Sequence, residues 1–67
     1  MPAELTEFEE RLLKYLYRRK TASTVKQMSK FFIRSESYVY SALRKLEESQ
    51  LITVIQSGST KLYAYKD

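Results

Sequence analysis

The sequence contains no cysteine, no histidine and a single glycine. Without cysteine there can be neither a disulfide staple nor a thiolate metal site. Without histidine the commonest metal ligand and general base is gone. Carboxylates and lysines remain, but a chain of 67 residues has little room for a water-excluding catalytic pocket. The inventory therefore argues against an enzyme and against any metal or organic cofactor. Long apolar runs are lacking too. None approaches the ~20 residues that cross a bilayer, and the N-terminus has no signal-peptide pattern. A cytoplasmic protein without membrane association is the expectation.

What is present fits one domain spanning 1–67. A chain this short buries only ~60% of the surface its unfolded form exposes, so its core must be thin. Hydrophobic content of 43% is nonetheless that of a globular rather than a disordered chain. Net charge is +4, unevenly spread. Glu4, Glu7, Glu9 and Glu10 make the first ten residues purely acidic; beyond them, twelve Lys and Arg face only Glu36, Glu47, Glu48 and Asp67. A basic body points to a polyanionic partner.

Residues 6–20, "TEFEERLLKYLYRRK", predict a helix. Thr6 and Glu9 have capping-box spacing, and acids in the first turn with Arg18, Arg19 and Lys20 in the last complement the helix dipole. That placement also explains Glu7, Glu9 and Glu10 without invoking an acid–base or metal site. Phe8, Leu12, Tyr15 and Leu16 form the inward stripe, with Leu5 and Leu13 at its margins. "TAST", 21–24, is a polar connector able to pair as a stub of strand. Thr24 and Gln27 repeat the capping-box spacing, so a second helix should start near Val25, with Val25, Met28, Phe31 and Phe32 on its apolar face. Ile33 and Arg34 form a turn, and Ser35 caps a third helix over 35–48. The period then changes to two: "LITVI", a loop "QSGST" with Gly58, and "KLYAY" predict a β-hairpin.

From "MSKFFIRSESYVYSALRKLEESQLITVIQSGSTKLYAY" the chain resembles the winged-helix branch of the helix-turn-helix family, small prokaryotic or viral transcription regulators. The family pattern resembles "L-A-x-x-L-G-I-S-x-S-T-V-x-x-A-L-x-x-L-E-x-x-G-L-I" followed by a wing. Met28, Ser29, Phe32, Ser35, Ser37, Val39, Ala42, Leu43, Leu46, Glu47, Leu51 and Ile52 align with it without a gap. The resemblance implies an α+β winged helix: a three-helix bundle with a C-terminal two-stranded hairpin as wing. Ile33 and Arg34 depart from the usual glycine and isoleucine, and Gln50 from the glycine that usually ends the third helix. A side chain tolerates left-handed backbone less well than glycine does, so turn geometry and local register are open at both points.

At roughly 100° per residue, Ser37, Ser41, Arg44 and Glu48 lie opposite the stripe of Val39, Ala42, Leu43 and Leu46. Tyr40 flanks that polar face on one side, Tyr38 and Lys45 on the other. In a winged helix this face enters the major groove. Arg44 is then the candidate for reading a base, since bidentate Arg to guanine is the commonest specific contact. Lys45 suits a phosphate, and Ser35, Ser37, Ser41, Tyr38 and Tyr40 suit a phosphate, sugar or base edge. Glu36, at the DNA-proximal end, opposes this reading. Lys26, Lys30 and Arg34, four apart, form a basic stripe expected at the sugar–phosphate backbone. In the wing, 56–61, Ser57, Ser59, Thr60 and Lys61 can donate to phosphates, with Gly58 permitting the turn; Tyr63 and Tyr65 are expected to pack on the helices.

The leading expectation is a small stand-alone regulator that binds double-stranded DNA sequence-specifically. Its alternative is a winged helix serving as a protein-interaction module, with Tyr38, Tyr40 and Glu36 as the adhesive surface. Monomer, homodimer and a partner protein are all open. No small-molecule effector is indicated, and the aromatic sheet motif of the common RNA modules is missing.

Overall fold

The computed structural model describes residues 5–66. Glu4 and Asp67, which enter the charge asymmetry, lie outside them. Three helices precede one hairpin: α1 Glu7–Arg19, α2 Val25–Phe32, α3 Glu36–Glu48, β1 Ile52–Ser57 and β2 Thr60–Tyr65. This is an α+β arrangement with winged-helix topology.

Side chains at the helix starts supply the partners that the first turn's backbone donors lack. In α1, Thr6 Oγ1 accepts from Glu9 N–H while Glu9 Oε1 accepts from Thr6 N–H, at 3.1 and 3.0 Å. Thr24 and Gln27 repeat this at α2, both at 3.1 Å. Ser35 Oγ accepts from Tyr38 N–H at α3. The connector between α1 and α2 pairs as a stub of strand: Ser23 and Tyr63 exchange both backbone hydrogen bonds, at 2.9 and 2.8 Å. β2 thus lies between Ser23 and β1, which ties the hairpin to the helices.

The core gathers Leu12 and Leu16 from α1, Met28 from α2, and Val39, Ala42, Leu43 and Leu46 from α3, with Ile52 and Tyr63 from the hairpin. Phe31 is not among them. The stripe of α2 runs Val25, Met28, Ser29, Phe32, and Phe31 sits about 100° from its centre. It is 62% exposed, resting on Tyr15 at 4.7 Å between ring centroids. Ser29 takes the buried place and donates its hydroxyl to the Lys26 carbonyl at 3.0 Å.

Both departures from glycine keep the left-handed turn. Ile33 ends α2 with φ 55° and Gln50 follows α3 with φ 62°. After α3, Gln50 N–H reaches the Glu47 carbonyl at 2.9 Å and Leu51 N–H the Leu46 carbonyl at 3.0 Å, the paired bonds of a Schellman stop. The register of α3 and the hairpin is therefore kept. The cost falls on Ile33, a β-branched residue where only glycine is comfortable.

The hairpin is longer and its loop tighter than the expected "QSGST". Ser57 pairs with Thr60, leaving Gly58 and Ser59 as a two-residue turn. Gly58 alone of the two has positive φ, 62°, as a type II′ turn requires at its first position.

Candidate nucleic-acid interface

The third helix is held from one side only. Val39, Leu43 and Leu46 are fully buried, and Ala42 nearly so. A buried leucine contributes about 1.5–3 kcal/mol, so this contact fixes the helix's rotation about its axis. Ser37, Ser41, Arg44 and Glu48 are consequently turned to solvent. Serines at 37 and 41 leave a shallow surface between them that a groove wall can approach. Ser35 Oγ is already used as an acceptor for Tyr38 N–H, which leaves its hydroxyl hydrogen to donate.

Arg44 is loosely held. Its guanidinium lies 3.8 Å from Glu48, with both side chains mostly exposed. An exposed i,i+4 pair is worth about 0.3–0.5 kcal/mol, against about 1–3 kcal/mol for a bidentate contact to guanine. The ion pair leaves Arg44 available for contact at the surface.

The flanks of α3 are engaged by the chain itself. Tyr38 packs on Phe8, with ring centroids 4.8 Å apart, and the Arg34 guanidinium stands over its ring at 5.6 Å. Lys45 Nζ is 3.9 Å from Glu9 Oε2, whose side chain is only 6% exposed. On the opposite flank Lys61 Nζ stands over the Tyr40 ring at 6.0 Å. Lys61 shares its face with Val54 and Tyr63 through the register, so it bridges the wing to α3 instead of sitting at the wing's tip. The tip itself, Ser57 to Thr60, is exposed and carries no charge. Gln56 shapes it by donating from Nε2 to the Gly58 carbonyl at 2.8 Å.

Lys26 and Lys30 are exposed along α2. Arg34 leaves their stripe, because the left-handed Ile33 turns the chain before it; it borders a shallow cleft with Thr6, Glu7, Phe8, Arg11 and Tyr38. Glu36 is exposed in the first turn of α3, where a carboxylate complements the helix dipole.

Glu9 was legible as a helix cap but not as the partner of Lys45, since nothing in a linear pattern says where α1 crosses α3. Behind the site, burial raises the Tyr63 phenol above its ordinary 10.0, with Tyr40 and Glu47 adding to the effect. Among the described residues, no group of three or more carboxylates could hold a metal ion, and no helix is long and apolar enough to cross a membrane. No protein-family model and no curated protein matches the chain.

Proposed function

We propose that the chain is a winged-helix regulator that binds double-stranded DNA, with α3 in the major groove and the hairpin along the adjacent backbone. One observation carries the reading: the face of α3 opposite the core, Ser37, Ser41 and Arg44, is free of the chain's own packing. A small polar surface with one weakly held arginine is what base-edge contact requires. Lys26, Lys30, Arg34 and Lys61 supply phosphate contacts around it, and Ser59 and Thr60 add neutral donors at the wing. Lys45 joins them only when released from Glu9. The family resemblance across 28–65 supports the same reading.

A second reading rests on a specific observation. Lys45 and Arg44 both lean toward carboxylates of their own chain, which lowers the positive potential over α3 and favours a protein partner docking on Tyr38, Tyr40 and Glu36. Titration of random duplex DNA at about 50 and 200 mM salt separates the two. Regulator function predicts a non-specific Kd of ~10⁻⁴–10⁻⁶ M at physiological salt and a log–log salt slope of about −3.6, from Lys26, Lys30, Arg34 and Lys61. Absence of binding at the lower salt would leave the protein-interaction module standing.

A further inference from the structure

Helix α1 has a second stripe beside the core: Glu10, Leu13, Lys14 and Tyr17, of which Leu13 is half-buried against the core and the other three are exposed. Tyr17 is 58% exposed and meets the ring of Tyr65 edge-on at 4.9 Å. Around this pair Leu16, Lys20 and Ala64 complete a cleft of about 360 Å³, adjoined by a second that Leu13 and Lys14 border. Ala64, Leu62 and Ile55 share the other face of the hairpin from Tyr65, and Ile55 is exposed. No residue of α3 borders either cleft, so the clefts are separate from the α3 face assigned to DNA.

The charges along α1 say what fits there. Glu7 and Glu10 lie in its first turn; Lys14, Arg18 and Lys20 follow toward its end. Glu10, Lys14 and Lys20 have no ion-pair partner among the described residues. A second α1 laid antiparallel brings acid half onto basic half at both ends at once, with Leu13 and Tyr17 meeting across the twofold axis. A parallel arrangement would set like charge on like. The remaining repulsion between two +4 chains is screened beyond about 8 Å at physiological salt.

We propose that this strip is a self-association face, on which α1 docks antiparallel against α1 of a second copy, with Tyr17 and Tyr65 as aromatic anchors. The contact is isologous, so each substitution acts twice. The inference rests on burial and charge along α1 and is independent of the DNA reading.

Sedimentation equilibrium of the full chain, from about 10 μM to 1 mM, tests it without DNA. The expected result is a mass that rises with concentration toward twice that of one chain. Tyr17→Glu should remain monomeric with an unchanged circular dichroism spectrum, because the side chain lies outside the core. Glu10→Lys or Lys20→Glu alone should weaken association by about tenfold or more, as breaking an interfacial charge pair does; the two reversals in one chain should restore it. Three results would each overturn the proposal: a wild-type chain monomeric throughout the range, a Tyr17→Glu chain that associates like wild type, or a double reversal no tighter than the single ones.

Discussion

Lys45 Nζ lies 3.9 Å from Glu9 Oε2, and that carboxylate is almost wholly buried between α1 and α3. Glu9 uses its other oxygen to cap its own helix through Thr6 N–H. One acid thus closes the first turn of α1 and holds a cation of α3 against the protein. The pair links the cap of α1 to the charge that α3 carries at its surface.

Glu9→Gln should separate these two roles. Glutamine keeps the capping box but releases Lys45. Affinity for duplex DNA should rise and the log–log salt slope steepen by about 0.9, one added phosphate contact. Fluorescence anisotropy at several salt concentrations measures both; an unchanged slope would mean that Lys45 never reaches phosphate.

Arg44→Ala addresses sequence reading. Selection from a random duplex pool should yield a short motif with wild type, and the variant should lose about 1–3 kcal/mol on that motif, relaxing preference at one base pair. Lys26→Ala should instead weaken all sequences alike. If Arg44→Ala also weakened all sequences equally, its role would be reduced to a phosphate contact.

Ile33→Gly should stabilise the fold. Ile33 is 87% exposed with φ 55°, so little packing is lost and left-handed strain of about 1–2 kcal/mol is relieved. Part of that gain is offset by the extra freedom of glycine in the unfolded chain. Thermal unfolding should show a higher midpoint; a lower one would mean that Ile33 makes a contact worth more than its strain.

Tyr63 predicts an alkaline limit. Burial, followed by Tyr40 and Glu47, raises its folded-state pKa above 10.0. The corresponding stability is fully present below the unfolded value, near pH 10, and is lost as pH rises through the folded value. Tyr63→Phe removes this loss. Urea titrations of both proteins should therefore differ by a constant amount from pH 7 to about 10, then shift in favour of the variant. Parallel curves above that pH would exclude the linkage.

Leu43→Ala probes the anchor of α3. The side chain is fully buried, and such truncations cost about 2–5 kcal/mol, a large part of the stability of a domain with so thin a core. Far-UV circular dichroism and urea titration should show a largely unfolded or strongly destabilised chain. Near-wild-type stability would place α3 on some other support.

Local pattern alone was sufficient for the three helices, because Thr6, Thr24 and Ser35 cap their own first turns and each apolar stripe recurs at helical spacing. The hairpin followed from the change of period after Leu46, and the outward face of α3 from the stripe behind it. These are interactions between residues a few positions apart, and they leave a mark on the order of the letters. Where Lys45 and Lys61 rest, and how Arg34 comes to lie over Tyr38, were decided only by tertiary structure. Each depends on where α1 crosses α3 or the hairpin meets the bundle. Such crossings are set by packing between distant segments, which no local spacing records.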